Sequence, residues 1–138
     1  DYRFHVAMMG ALGIGADLTK WSDADLEKSA AMIVQYKAIR EMVQFGRLYR
    51  LRSPRESAIA AFEFVHPHGH EAVVFAFLSA SNFGEQRVAL RLQGLEPEAS
   101  YQVQELNLVL SGKALMKQGI PLAMRGTFVS QMLHLQRL

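Results

Sequence analysis

The 138-residue sequence contains no cysteine, which excludes a disulfide framework and a zinc site built on cysteine ligands. It has no apolar run that approaches the roughly 18 residues of a membrane-spanning helix. It also has no block of like charge, and its formal net charge is only +2, so a nucleic-acid-binding arm is not indicated. We therefore expect a cytoplasmic protein that binds neither nucleic acid nor a membrane.

A methionine is missing from the first position, and the chain opens at Asp1 with what looks like the end of a structural element. Half of the residues are apolar and a fifth are charged, which is ordinary for a globular protein. A chain of this length can bury a core of its own. From the way it opens, we expect the C-terminal piece of a larger enzyme whose catalytic residues lie upstream.

The first third of the chain is predicted to form a short helix, a short strand and a long helix. Residues 2–9 carry apolar side chains at helical spacing, and residues 12–14 form a short strand candidate between glycines. Ser22 can cap the first turn of a helix in which Asp25 supplies a carboxylate at the third position. These signals predict a long α-helix over residues 23–45.

The long helix carries an apolar stripe that it cannot bury alone. We expect this stripe to face a sheet or another helix. Gly46 follows it as a natural C′ residue. The stripe consists of Leu26, Ala30, Ile33, Val34, Ala38, Met42 and Phe45.

After residue 46 the apolar period changes to the alternation that is typical of β-strands. Turn sequences such as SNFGE at residues 81–85 separate the strands, and one helical turn is predicted at residues 113–118. Strands at this spacing predict an antiparallel β-sandwich. The polar segment RSPRES at residues 52–57 divides the chain into residues 1–51 and a β-domain of residues 52–138. The predicted strands cover residues 47–51, 60–66, 71–80, 86–92, 101–106 and 127–138.

Three alternating histidines, His66, His68 and His70, are the sharpest candidate for chemistry. Imidazoles at this spacing can share a metal ion. The segment Pro67-His68-Gly69 also lies where a hairpin must turn, and the turn explains the proline and the glycine without a metal. We assign no metal ligand and no cofactor to this chain.

The carboxylates form no obvious catalytic pair, although a glycosidase needs two. Asp17 follows the short strand, where barrel enzymes keep functional groups, but a capping role or a loop ion pair is the preferred interpretation. We assign no catalytic residue to this chain. The other acids lie mostly in a first helical turn, in turns or on the polar side of strands: Asp23, Asp25, Glu63, Glu85, Glu96, Glu98 and Glu105.

Arginines cluster around the junction between the two parts. A solvated face or salt bridges is the preferred interpretation, and an anion or phosphate site is the alternative. The cluster comprises Arg40, Arg47, Arg50, Arg52 and Arg55.

Trp21, the single tryptophan, could be a sugar platform, but its place before the helix N-cap favours packing beneath the helix.

The order of the motifs along the chain is specific, although each motif is weak alone. RFHVAMMGALGIGADLTKWSDADLEKSAAMIVQYKAIREMVQFGRLYRL, residues 3–51, is followed by EAVVFAF, LRLQGLEPEASYQV and SGKALMKQGI. In this order they resemble the bacterial α-galactosidases of glycoside hydrolase family 36. The first segment is similar to the end of the family's catalytic barrel, and the later ones are similar to its C-terminal β-domain.

The resemblance implies a parent enzyme that hydrolyses terminal α-galactosides with retention. The family's aspartate nucleophile and acid/base lie in K-W-D and S-D motifs on earlier barrel strands. TKWSD at residues 19–23 has similar letters but precedes the last helix, so no catalytic residue is carried over.

The same resemblance makes the long helix the last helix of a (β/α)8 barrel. The partner is then the upstream catalytic barrel of the same polypeptide, and a homo-oligomer is expected. The piece itself would be structural and inactive alone. Without the barrel, we expect the apolar stripe of the helix to fold onto the sandwich or to pair with a second chain.

The alternative is a stand-alone carbohydrate- or protein-binding β-sandwich module with a helix laid on it. LRLQGLEPEASYQV also fits a fibronectin-type-III-like corner. Such a module needs an exposed aromatic platform, whereas the strand aromatics look like core residues. These aromatics are Phe62, Phe64, Phe75 and Phe77.

Overall fold

The computed structural model describes residues 1–80 and 84–138. Two helices lie on one face of a six-stranded antiparallel sheet, and a two-stranded sheet with a short helix lies on the other face. The prediction of an antiparallel β-sandwich preceded by a long helix is confirmed. The predicted turn SNFGE begins with residues 81–83, which lie outside the described residues.

The helical layer contains α1, Tyr2–Met8, and α2, Asp23–Phe45. Both ends of the predicted long helix are confirmed. The Ser22 hydroxyl oxygen accepts a hydrogen bond from the backbone N–H of Asp25 at 3.2 Å, and the hydroxyl donates to Asp25 Oδ2 at 2.6 Å. The first of these bonds satisfies one backbone donor that the first turn leaves without a partner, and the second holds the two side chains together.

The six-stranded sheet has the order β1-β2-β3-β8-β5-β6, and every neighbouring pair is antiparallel. The long strands β3 and β8 are central and pair from Glu71↔Gln136 to Ala80↔Thr127. The strands are β1 Arg47–Arg52, β2 Ile59–Val65, β3 Glu71–Ala80, β5 Ser100–Val103, β6 Leu108–Ser111 and β8 Thr127–Arg137.

The smaller sheet pairs β4, Gln86–Leu90, with β7, Ile120–Met124, and α3 spans Gly112–Lys117. The predicted helical turn is therefore present, one residue earlier than expected. The sequence predicts neither β6 nor β7. Pro121 lies within β7, where it is tolerated because β7 has a neighbour on one side only.

Two predicted strands are too long. The sequence extends β4 to residue 92, but pairing ends at Leu90. It extends the strand that begins near residue 101 to residue 106, but β5 ends at Val103 and a 3₁₀ turn follows over Gln104–Leu106. In both places the apolar alternation continues into a segment that has left its partner strand.

The large sheet separates two apolar cores, because its strands β2 and β3 are buried on both faces. The core on the helical side contains Met8, Met32, Ile39, Met42, Phe64, Val73, Phe75 and Phe77. The core on the side of the small sheet contains Ala61, Val65, Val74, Leu78, Leu90, Tyr101, Leu115, Ile120, Leu122 and Met124.

The face of α2 that packs on the sheet is not the predicted stripe. Of the stripe, Met42 is buried, but Leu26, Val34 and Phe45 are exposed. Of the two alternatives for the stripe, folding onto the sandwich is therefore wrong, and pairing with a second chain stays a prediction. The helix carries apolar side chains on two faces, and their period does not decide which face meets the sheet. The buried residues are Ser29, Met32, Tyr36, Ile39, Met42 and Val43.

The end of α2 approaches β2 closely at Gly46. The Gly46 N–H donates to the Met42 carbonyl at 2.8 Å, and its φ of −74° is not left-handed. A Cβ atom at this position would lie 2.7 Å from the Val65 carbonyl oxygen and would overlap the Met42 carbonyl. Glycine is needed here for the approach to the sheet.

Residues 12–14 form no strand in this structure. Both described sheets are built from later segments, so no neighbouring strand supplies hydrogen-bond partners to these residues. None of the described helices is long and apolar enough to cross a membrane.

Candidate functional site

The most prominent unexplained surface is the outward face of α2. Leu26 is 39% exposed, Val34 is 66% exposed and Phe45 is 72% exposed. Ala30 and Ala38 continue the same row at four-residue intervals and are also exposed. We call these five residues the outer face of α2. A contiguous apolar row on a helix whose other face is already buried is typical of a contact surface.

The segment between α1 and α2 is also largely exposed. Leu18 is 46% exposed. Asp17 Oδ1 accepts hydrogen bonds from the Thr19 N–H at 3.2 Å and the Thr19 hydroxyl at 2.6 Å. Lys20 Nζ lies 3.2 Å from Asp17 Oδ2. The interpretation of Asp17 as a cap and loop ion pair is confirmed, and these hydrogen bonds lower the pKa of its carboxyl.

Trp21 is half-buried and lines a small cavity with Phe4, Asp25, Lys28 and Ser29. The tryptophan thus lies against both helices at the start of α2. This position agrees with packing beneath the helix. The TKWSD segment contains the end of a 3₁₀ turn over Leu18–Lys20 and the N-cap of α2, Ser22.

Glu63 is a buried carboxyl group that the sequence interpretation placed on the polar side of a strand. That placement is wrong, because Glu63 is fully buried and lies between the two sheets. Its same-face neighbours Ala61 and Val65 are both core residues. Their apolar side chains were the sequence signal that Glu63 faces the interior. Oε2 accepts a hydrogen bond from the Gln93 N–H at 2.8 Å, whereas Oε1 has no hydrogen-bond partner among the described residues.

Burial raises the pKa of the Glu63 carboxyl to about 8, and the hydrogen bond from the Gln93 N–H opposes this rise. The side chain is therefore protonated at neutral pH. In the β1–β2 register, Tyr49 lies opposite Glu63. A single carboxyl without a second acid beside it cannot perform the two-carboxylate chemistry of a glycosidase.

His5 and Ser130 form a pair that no sequence signal predicts, because 125 positions separate them. His5 Nδ1 lies 2.8 Å from the Ser130 hydroxyl oxygen. Burial lowers the pKa of His5 to about 4. Through this hydrogen bond, the neutral imidazole of His5 connects the helical layer to the six-stranded sheet.

The three histidines do come together at the β2–β3 turn. The ring centroids of His66 and His70 are 4.0 Å apart, and His66 Nδ1 accepts the backbone N–H of His68 at 3.2 Å. Tyr101 fixes this turn, because its hydroxyl donates to the Gly69 carbonyl at 2.9 Å. In residues 1–80 and 84–138, no group of three histidine or acidic side chains is arranged to hold a metal ion.

The arginine cluster separates into different environments. Arg40 lies on α2, and Arg47 Nη1 donates to the Tyr49 hydroxyl at 3.2 Å. Arg50 and Arg52 line one cleft at the end of β1.

The strand aromatics are mostly interior, since Phe64, Phe75 and Phe77 are buried and only Phe62 is half-buried. Because they are buried, Phe64, Phe75 and Phe77 cannot form a sugar platform.

Two family models match this chain. The model described as "Glycosyl hydrolase family 36 C-terminal domain" matches residues 59–135. The model described as "Melibiase" matches residues 1–46. Together they cover the helical layer and most of the sandwich, and β1 lies in the gap between the two matches.

The relatives are α-galactosidases. "Alpha-galactosidase 1" of Pediococcus pentosaceus is 40% identical over 117 residues, which are 85% of this chain and 16% of that protein. "Alpha-galactosidase AgaA" of Geobacillus stearothermophilus is 36% identical over 135 residues, which are 97% of this chain and 18% of that protein. The chain therefore spans less than a fifth of the length of these relatives.

Solved structures show the same arrangement of both layers. The crystal structure of AgaA from Geobacillus stearothermophilus has a TM-score of 0.92 at 36% identity, and that of AgaB from the same organism has 0.91 at 37% identity. Each match covers 99% of this chain and 19% of the solved chain. The chain belongs to glycosyl hydrolase family 36, and most of it matches the C-terminal domain of that family.

Proposed function

We propose that this chain is the C-terminal part of an α-galactosidase, in which it supports the catalytic domain and performs no chemistry itself. Family membership and the small share of each relative that the chain spans support this proposal. The catalytic partner is the upstream part of the same polypeptide. Its substrates are terminal α-galactosides, and a variant of the relative AgaA is described in complex with stachyose.

The exposed outer face of α2 is the observation that carries the scaffold role. One face of this helix already packs on the six-stranded sheet, while Leu26, Val34 and Phe45 on the outer face have no cover in the described chain. Full burial of a fully exposed apolar side chain contributes about 1.5–3 kcal/mol, and covering the outer face would gain the share of this that corresponds to the exposed fractions of Leu26, Val34 and Phe45. A catalytic domain that covers the outer face would be held to the sandwich through a helix with two buried faces.

We assign α2 to the catalytic barrel as its last helix and residues 52–138 to the β-domain. The match of the melibiase model to residues 1–46 supports the assignment of α2. Strand β1 at residues 47–52 pairs with β2, so the connection between the two domains would itself be a strand of the sandwich. Residues 12–14 would gain neighbours as the last barrel strand.

The proposed reaction is hydrolysis with retention by two carboxylates outside this chain. Glu63 has no second acid beside it. The Asp17 carboxylate already binds Thr19 and Lys20 of its own loop. We propose a bacterial, cytoplasmic enzyme, which agrees with the lack of cysteine. We also propose a homo-oligomer, to which the open edges of the six-stranded sheet at β1 and β6 could contribute.

The test measures hydrolysis of a chromogenic α-galactoside by two samples. The 138-residue chain alone should give no turnover above background. The same chain preceded by the catalytic domain of its natural polypeptide should hydrolyse the substrate with retention, which proton NMR of the first-formed anomer reports. Turnover by the chain alone would contradict the scaffold role, and an inactive longer polypeptide would contradict the enzyme assignment.

A further inference from the structure

The cleft at the end of the edge strand β1 has the composition of a ligand site that the proposed function does not use. Its volume is about 500 Å³, within the range of small-molecule sites. Arg50 and Arg52 line it together with Ser57, Phe62 and Glu56. These residues supply positive charge, a hydroxyl group, an aromatic ring and a carboxylate around one space.

A β-bulge creates this cleft. Arg50 pairs with Phe62 and Arg52 pairs with Ala61, so Leu51 is an extra residue in β1. Neighbouring residues in a regular strand point to opposite faces of the sheet, yet residues 50, 51 and 52 all line the cleft. Bulges at sheet edges re-aim side chains in this way.

The guanidinium groups of Arg50 and Arg52 have no ion-pair partner within the described chain. Arg52 is nevertheless held in place, because its Nε and Nη2 donate to the Ser57 hydroxyl oxygen at 3.1 and 2.8 Å. The Ile59 N–H donates to the same oxygen at 3.2 Å. Since Ser57 already accepts these bonds, its hydroxyl proton is available to donate to a ligand.

We propose that this cleft binds a small phosphorylated polyhydroxy compound, with its phosphate group on Arg50 and Arg52. Two guanidinium groups and a hydroxyl offer more donors than the two oxygens of a carboxylate accept, and a phosphate monoester presents three oxygens and nearly two charges. The Phe62 ring, which packs on Phe77 with centroids 6.3 Å apart, contacts the nonpolar side of the organic part. The Glu56 carboxylate accepts from its hydroxyl groups.

The experiment titrates the full 138-residue chain with glucose 6-phosphate by calorimetry, with glucose and inorganic phosphate as separate probes. Glucose 6-phosphate should bind saturably, more tightly than either component, and more weakly as sodium chloride is raised. Arg50→Gln should weaken this binding about tenfold or more, because it removes a charged donor.

Arg91→Gln is the matched control, since Arg91 is an exposed arginine outside the cleft, and it should leave the affinity unchanged. Circular dichroism confirms that both variants are folded. Absence of saturable binding, equal affinity for glucose, or an equal loss in both variants would overturn the proposal. Equal affinity for inorganic phosphate would overturn the role of Phe62 and Glu56.

Discussion

Glu63 Oε2 accepts the backbone N–H of Gln93 at 2.8 Å, across the gap between β2 and the segment that follows β4. The other carboxyl oxygen of Glu63 is buried without a hydrogen-bond partner in the described residues. The carboxyl group is therefore tolerated in the core only while it is protonated. The stability of the folded chain should therefore decrease as the pH rises and Glu63 ionises.

We expect the unfolding free energy to fall as the pH rises from about 4.5 to about 8, since burial raises the pKa of Glu63 from 4.5 to about 8. The folded state then binds more protons than the unfolded state, and stability is lost at up to roughly 1.4 kcal/mol per pH unit across this window. Glu63→Gln should flatten this dependence in urea unfolding at pH 5, 7 and 9. Glu98→Gln, at an exposed position, is the control that should keep the wild-type slope.

The outer face of α2 gives a second prediction, about the catalytic domain. Val34→Asp should change the stability of the 138-residue chain by about 0.5 kcal/mol or less, because Val34 is exposed there. In the longer polypeptide it should destabilise the enzyme by about 2 kcal/mol or more, because it buries a charge against the barrel. Thermal unfolding of both polypeptides measures the difference.

Gln35→Asp controls for the charge and for helix propensity, since Gln35 is an exposed neighbour on α2 outside the apolar row. It should be nearly neutral in both polypeptides. Equal effects of Val34→Asp in the two polypeptides would show that the outer face of α2 has no partner in the enzyme.

A third prediction concerns the junction between α3 and β7 at Gly119. Its φ is +87°, and a Cβ atom there would lie 2.7 Å from the carbonyl carbon of Leu90. Gly119→Ala should therefore cost about 1–2 kcal/mol for the left-handed conformation and a further amount for displacing the backbone of β4.

Gly69→Ala is the matched comparison, because Gly69 has a φ of +68° with open space around its Cβ position. It should show the conformational cost alone. Chemical denaturation of both variants measures the difference, and equal losses would exclude a close contact between Gly119 and Leu90.

The sequence predicted the elements whose ends carry local chemical signals. Ser22 and Asp25 define the start of α2 through their own hydrogen bonds, and β3 lies at residues 71–80 as its apolar run predicts. Interactions between distant residues were not predictable in this way. The bond of His5 to Ser130 and the burial of Glu63 depend on which layers meet.

The outer face of α2 shows that helical periodicity alone does not predict which apolar face of a helix packs on the sheet. The predicted stripe is a real apolar surface of the helix, but Ser29, Tyr36 and Ile39 on the other side of the helix are the residues that are buried. A helix packed between two bodies has two apolar faces, and the sequence does not rank them. Strand β7 was missed for a related reason, because five residues with an internal proline carry too little alternation to indicate pairing with β4.

The position of β8 has a consequence for the order in which the chain can fold. This strand lies between β3 and β5, although β5 and β6 both precede it in the sequence. During synthesis, the β5–β6 hairpin has no place in the large sheet until residues 127–137 have left the ribosome. The two halves of that sheet, with the helices on one and the hairpin on the other, are joined by a strand made after both.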